Sequence, residues 1–196
     1  MTTDQAIQRK FDFRGRMRNL PFYSRGPSSR DDLASLFKEL GFTTGVEVGT
    51  WKGNFAEILC NANPALHLYC VDPWMPYQNK SQEWEERFYR IAVRRLRGKN
   101  VEIVRKTSAE AVTGFKDGSL DFAFIDGNHL FDYAMVDLIG WVPKVRRGGI
   151  VAVHDFDLSE HGADVVTAVY AYTQAHHVDP WYVTREQNPT AYWVAK

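Results

Sequence analysis

The chain has 196 residues, 44% of them hydrophobic, 14% aromatic and 24% charged, a globular composition that excludes disorder, collagen-like repeats and low complexity. A domain of this length buries about 70% of its extended-chain surface, so it needs no disulfide or metal staple to fold. Its 24 Lys and Arg offset its 24 Asp and Glu, which leaves no global field to recruit nucleic acid or a membrane surface.

Residues 1–30 hold Arg9, Lys10, Arg14, Arg16, Arg18, Arg25 and Arg30 against Asp4 and Asp12, and read as a basic N-terminal extension, a mobile arm. Beyond it, Asp31 and Asp32 open a helix whose Leu33, Leu36, Phe37 and Leu40 share one face and which Gly41 ends. Gly45 to Gly49 is a short strand entering a turn, Gly53 to Asn61 a helix, and His67 to Asp72 a strand. The stretch 81–97 repeats Trp84, Phe88, Ile91 and Leu96 as the stripe of a surface helix. Val101 to Val104 is a third strand, and Leu120 to Asp126 is apolar enough for a central strand covered on both faces. A helix over Asp132 to Val142 stops at Pro143, and Gly148-Gly149 leads into a fifth strand, Ile150 to Phe156. A helix from Ala163 to Ala175 follows, and Trp181 to Arg185 then pairs with Ala191 to Ala195 as a hairpin. Strand-then-helix units in series force parallel pairing with right-handed crossovers. The expected fold is α/β: a Rossmann-like, doubly wound, mostly parallel seven-stranded sheet with an antiparallel C-terminal hairpin, one domain over residues 31–196.

Cys60 and Cys70, the two cysteines, have neither metal-ligand spacing nor the look of a secreted disulfide framework, which fits a reducing compartment. The N-terminus lacks the apolar stretch of a signal peptide, and no run reaches the ~20 apolar residues of a membrane span, so a cytoplasmic location is expected.

In an open parallel sheet the ligand crevice lies beyond the carboxyl ends of the strands. That rule gathers Glu47 to Gly53, Asp72 to Trp74, Thr107 to Glu110, Asp126 to His129 and His154 to Phe156. Gly49 suits a sharp bend with backbone close to a ligand, and Gly53 a helix that starts tight against the strand. A dinucleotide fingerprint needs glycine where Trp51 stands, which argues against NAD. Asp72, at a strand tip, suits the two hydroxyls of a ribose. Glu47, Gly49, Gly53 and Asp72 together point to a nucleoside site without a diphosphate.

VEVGTWKG, YCVDPW and LDFAFIDGNHLFDYAMVDLIGWVPKVRRGGIVAVHDF resemble the class I S-adenosylmethionine-dependent methyltransferases over residues 31–196, most specifically over 120–156. The resemblance is to the small-molecule O-methyltransferase branch with D-G-x-H after the fourth strand and H-D after the fifth. Macrocin-type sugar methyltransferases and catechol methyltransferases are more distant relatives. The resemblance implies S-adenosyl-L-methionine as cofactor, with Glu47, Gly49 and Gly53 on its methionine side and Asp72 on the ribose. Pro73 and Trp74 would lie beside the adenosine, Ser108 and Ala109 at the adenine border, and Asp126 and Gly127 beneath the sulfonium.

His129 is the candidate general base, because a free imidazole with a pKa of about 6.5 is mostly neutral at pH 7. Asp126, His154 and Asp155 form a candidate site for Mg²⁺ or another divalent cation that polarises the acceptor hydroxyl. The alternative for His154 and Asp155 is a hydrogen-bonded pair that caps the strand. Phe22, Tyr23, Trp74, Tyr77, Phe131 and Tyr133 are candidates for an apolar substrate wall, and His161, His176 and His177 read as surface residues. The expected activity is methyl transfer to a hydroxyl of a small molecule, sugars included. One rival is an RNA- or nucleoside-modifying methyltransferase, favoured by the basic extension and by Arg87, Arg90, Arg94, Arg95, Arg97, Lys99, Arg105 and Lys106. The other is a non-catalytic nucleoside-binding protein on the same fold. Oligomeric state, homo-oligomer included, stays open.

Overall fold

The computed structural model describes residues 1–13, 20–26, 28–76, 81–157 and 163–196. Its strands are β1 (Phe22–Tyr23), β2 (Thr44–Val48), β3 (His67–Val71), β4 (Val101–Val104), β5 (Leu120–Ile125), β6 (Val145–Val153), β7 (Trp181–Val183) and β8 (Ala191–Val194). The helices are α1 (Thr3–Lys10), α2 (Arg30–Glu39), α3 (Asn54–Ala62), α4 (Gln82–Arg95), α5 (Ser108–Ala111), α6 (Phe131–Trp141) and α7 (Ala163–Ala175). The sheet has eight strands in the order β1-β7-β8-β6-β5-β2-β3-β4, and β8 alone runs against the others. The α/β, doubly wound, mostly parallel architecture is as read, including the C-terminal antiparallel pair. The eighth strand is the difference: Phe22–Tyr23 pairs in parallel with β7, and two residues carry no period to detect.

The strands alternate their side chains between two layers. Val46, Val48, Ala123, Ile125, Val151 and Val153 join Leu138, Trp141, Val165 and Val169 of α6 and α7 on one face. Leu68, Cys70, Phe122, Phe124, Ile150 and Ala152 join Ile7, Leu33, Phe37, Phe55 and Leu59 of α1, α2 and α3 on the other. The described part of the N-terminal extension is packed, not a mobile arm. Ala6, Ile7 and Phe11 are buried, Lys10 and Arg9 pair with Glu39, and the Thr3 hydroxyl donates to the Gly148 carbonyl at 2.6 Å. Arg14, Arg16 and Arg18 lie outside the described residues.

Local signals set most boundaries. A Ser29–Asp32 capping box starts α2 one residue earlier than the Asp31-Asp32 pair suggests, and another at Thr107–Glu110 starts the short α5. On α4 the buried face is Glu85, Phe88 and Ala92, with Leu96 at its end; Trp84, placed on that stripe by spacing, is exposed and meets Phe88 edge to face. β6 stops at Val153, so His154 and Asp155 lie beyond the strand, the latter at φ 55°. Cys60 and Cys70 are free and buried; burial pushes both thiols up, that of Cys60 to about 11, so neither is a ready nucleophile.

Candidate functional site

The chain steps outward from β2 to β3 to β4, then returns to the other flank of β2 as β5. The direction of winding therefore switches between β2 and β5, where the loops following those strands part and a crevice opens. Val48 and Ile125 are in register, and the Asp126 N–H donates to the Val48 carbonyl at 2.8 Å, so the two loops leave the sheet side by side.

Gly49 turns at φ 91°, and a Cβ there would overlap the Asp126 carbonyl. The close approach that demands glycine is thus to the chain's own β5 loop. Gly49→Ala is expected to destabilise the fold by about 3 kcal/mol or more, adding backbone strain to the overlap; urea unfolding measures it. Gly53, at φ 72°, is the N-cap of α3, and a Cβ there would sit 3.3 Å from Leu96 Cδ1. Its tightness is against the end of α4, not against the strand.

Glu47 is one residue out of phase with Val46 and Val48, so it points into the apolar layer of α2 and α3. It is 2% exposed, and its Oε2 has no hydrogen-bond partner among the described residues. Burial pushes its carboxyl up to about 8, against some relief from the Thr50 hydroxyl beside it. That hydroxyl is itself buried, and among the described residues neither it nor Glu47 Oε2 has a partner within full hydrogen-bond geometry. Two orphaned polar atoms at one corner are a standing cost that a ligand bearing donors removes.

Asp72 ends β3 with both carboxylate oxygens facing the loops: Oδ2 accepts from the Trp51 N–H and Oδ1 from the Trp74 N–H, each at 2.8 Å. Trp51 and Trp74, held at φ 48° and 43°, are locked together because the Trp74 indole N–H donates to the Trp51 carbonyl at 2.8 Å. Trp74 is 1% exposed, edge to face with Tyr89, so its ring is core. Pro73 is half-buried. Ser108 is fixed from below, accepting from the Trp141 indole N–H at 2.7 Å and donating to Asp137. Burial pushes the Asp137 carboxyl up to about 6, and Asp137 Oδ2 lies beneath Gly127, where a Cβ would be 3.1 Å away. Ala109 is exposed and Gly127 half-buried.

The polar centre forms where the β5 and β6 loops meet. His129 Nε2 is 3.0 Å from Asp155 Oδ2 and 3.9 Å from Asp126 Oδ1. The Asp126 and Asp155 carboxylates pull its imidazole up to about 10, so it is cationic at pH 7, not neutral as the free value suggests. Asp155, which burial alone would raise, is held at about 2 by His129. Asn188 donates to Asp155 Oδ1 at 2.7 Å.

His154 and Asp155 are both buried, and with Asp126 they place ligand atoms within 4.8 Å of one another. The predicted metal ligands are therefore together. Among them, however, stands Arg30, the first residue of α2: its Nη1 donates to His154 Nε2 at 3.0 Å and is 3.6 Å from Asp126 Oδ2. The other imidazole nitrogen of His154 is 3.1 Å from the Thr190 hydroxyl. A divalent ion does not fit this arrangement as it stands.

Arg30, Thr50, Asp137, Asn188 and Thr190 escaped the sequence reading. Asn188 and Thr190 lie in the hairpin loop, and Arg30 at the end of the segment read as a mobile basic arm; no motif marks them. The six candidate wall aromatics do not form one wall. Phe22 packs on Phe13 and Tyr182 at the far edge of the sheet, six strand spacings of about 4.8 Å from β3 and Trp74. Tyr133 is exposed on α6, and Tyr77 lies outside the described residues, as does His161. His176 and His177 are exposed, His176 stacking on Tyr172.

A family model described as a methyltransferase domain matches residues 46–156, from β2 through the loop after β6. The chain belongs to the methyltransferase-domain family. The O-methyltransferase TomG of Streptomyces achromogenes, solved with SAM, superimposes with TM-score 0.60 at 21% identity over 99% of this chain and 89% of its own. A Podospora anserina methyltransferase, solved with SAH bound, gives TM-score 0.65 at 11% identity, covering 86% of this methyltransferase and 80% of that chain. Spermidine synthase from Thermotoga maritima gives 0.61 at 10% identity over 85% of this chain and 60% of its own, so fold alone does not specify the group transferred. An uncharacterized protein of Sinorhizobium fredii is 28% identical over 125 residues, and the alignment takes in 61% of this chain but 14% of that relative's length. The fold is that of the class I S-adenosylmethionine-dependent methyltransferases. Among the described residues no helix is long and apolar enough to cross a membrane.

Proposed function

We propose that this methyltransferase transfers a methyl group from S-adenosylmethionine to a hydroxyl of a small molecule, a sugar being one acceptor class. The observation that carries the cofactor reading is the pair of orphaned atoms, Glu47 Oε2 and Thr50 Oγ1, at the foot of the β2 loop. A primary ammonium is the donor that suits them, because it supplies several N–H groups and a positive charge that ionises Glu47. The amino-acid end of the cofactor brings such a group. Asp72 then accepts the ribose hydroxyls on its carboxylate. Ser108 and Ala109 frame the adenine, with Pro73 at the side and Trp74 behind as support, and Gly127 lies with Asp126 beneath the sulfonium.

S-adenosylmethionine, when bound, supplies the electrophilic methyl; the chain's part is to hold acceptor oxygen and methyl in line. Asp126 and His129 are the groups nearest the acceptor. His129 is the base, but only after losing the proton that Asp126 and Asp155 hold on it, so turnover is expected to climb with pH well past neutrality. His129→Ala is expected to lower kcat by about 10²- to 10⁴-fold with affinity for S-adenosylhomocysteine unchanged. Formation of S-adenosylhomocysteine across a panel of hydroxyl acceptors measures it, and an unaltered kcat removes His129 from the reaction. The first test is mass spectrometry of the purified protein for carried-over cofactor, followed by calorimetry with S-adenosylhomocysteine. No binding to the wild type would end this reading.

The basic run favours nucleic acid less than its composition suggests. Arg90 and Arg105 pair with Glu86, and Arg95 with Glu57, so part of that charge is already answered within the fold.

A further inference from the structure

The Asp126, His154 and Asp155 cluster has the donor set of a divalent-cation site and a permanent cation of the chain's own lodged in it. We propose that Arg30 is the resident cation of this cluster, standing where a divalent ion would bind, and that the protein holds no metal there.

A guanidinium has only donors, so His154 Nε2, 3.0 Å from Arg30 Nη1, must be accepting. The proton of the neutral ring is then on Nδ1, which donates to the Thr190 hydroxyl at 3.1 Å. Both nitrogens are used, and a metal ligated through either must displace a partner. Asp126 Oδ2 faces the same guanidinium at 3.6 Å. Asp155 spends Oδ1 on Asn188 at 2.7 Å and has His129 3.0 Å from Oδ2.

Arg30 is also built in. It opens α2 behind the Ser29 cap, its own N–H donates to Glu186 Oε1 at 2.9 Å, and its guanidinium lies over the Phe55 ring at 5.3 Å. Glu186 in turn accepts from the Thr184 hydroxyl at 2.8 Å. The N-terminus of α2 is thereby tied to the β7–β8 loop that also carries Asn188 and Thr190. A residue held at its backbone by Glu186 and at its guanidinium by His154, Asp126 and the Phe55 ring is a structural counter-ion, not a passing surface contact. Beside an acceptor oxygen, a fixed guanidinium supplies the positive charge that a bound ion supplies elsewhere, but as hydrogen-bond donors of set direction and without an exchangeable ligand position.

The inference rests on the methyltransferase reading for the use of the site but not for its geometry, so the two are tested apart. Mn²⁺ is titrated into the full chain and into Arg30→Ala, followed by the electron paramagnetic resonance of the free ion, with S-adenosylhomocysteine affinity measured by calorimetry in parallel. The wild type is expected to show no saturable site, and Arg30→Ala to gain one at least about tenfold tighter, because its carboxylates have lost their counter-ion. Adding Asp155→Asn to Arg30→Ala should abolish the gained site. Saturable, stoichiometric Mn²⁺ binding by the wild type overturns the proposal whether or not Arg30→Ala folds, as does a folded Arg30→Ala with no gain. If the Mn²⁺ results are as expected and S-adenosylhomocysteine fails to bind, the metal inference stands and the methyltransferase function falls.

Discussion

Asp72→Ala is expected to weaken S-adenosylhomocysteine binding by at least about 100-fold, since two hydrogen bonds to a charged acceptor carry roughly 1.5–3 kcal/mol each and each tenfold is about 1.4. The same substitution has a second effect. The Trp51 and Trp74 N–H groups both lose their acceptor, and both residues sit at positive φ, so the loop path relaxes and the fold loses about 2 kcal/mol. Asp72→Asn separates the two effects only in part. Its amide carbonyl serves one of the tryptophan amides, while its NH₂ faces the other, donor against donor. Calorimetry with S-adenosylhomocysteine and urea unfolding read the two losses independently. Unchanged affinity in a folded Asp72→Ala would remove the carboxylate from the cofactor site and leave it a purely structural clamp.

Glu47 governs a pH dependence of the ligand-free protein. Its carboxyl titrates near 4.5 when exposed and at about 8 in the fold. Below 4.5 both folded and unfolded chains hold the proton and burial of the acid costs little. Between 4.5 and 8 the unfolded chain releases its proton first, so stability falls as pH rises, and above 8 it changes no further. By pH 7 the loss from this one group is about 3 kcal/mol. Glu47→Gln is expected to flatten that slope, because an amide does not titrate. It is also expected to reduce S-adenosylhomocysteine affinity at least about tenfold, through loss of the charge opposite the ammonium. Cofactor binding near neutral pH should release a proton from the wild type and none from Glu47→Gln, a difference read as buffer-dependent binding heat. A wild type as stable at pH 8 as at pH 5 would show that the carboxyl is not held in its neutral form. The destabilised corner and the binding corner are the same place, so part of the stability given up by the empty protein returns when a ligand binds.

Of the residues that the strand-end rule gathers, Gly49 meets Asp126, Asp72 meets Trp51 and Trp74, and Asp126, His129, His154 and Asp155 cluster, whereas Phe156 packs into the core on Tyr170 and Trp181. Their identity followed from periodicity alone: once Gly45 to Gly49, His67 to Asp72 and Leu120 to Asp126 read as parallel strands, Glu47, Asp72 and Asp126 had to lie at one edge. The apolar run of β5 and the alternation of β2 are local properties, and local properties survive in a string of letters. The same holds for α7, whose bounds are those the pattern predicts.

What each of those residues touches is another matter, because it depends on chain segments far apart. The backbone approach that requires glycine at position 49 is to Asp126, and the tightness at Gly53 comes from Leu96. His129 has the pKa of an ordinary imidazole until two carboxylates close on it, one of them from the loop after β6. Trp74, expected beside the adenosine and as part of an apolar wall, has its ring in the core, where its indole N–H reaches the carbonyl of Trp51.

Strand and helix periods and turn residues act over a few positions, so the class of fold and the sheet edge that gathers Asp72, Asp126 and Asp155 could be read from the chain alone. Only the tertiary structure decided that Arg30 reaches His154 from 124 residues away. It likewise decided that two carboxylates share the charges of a guanidinium and an imidazole, because electrostatic environment is set by distance in space, which separation along the chain does not record.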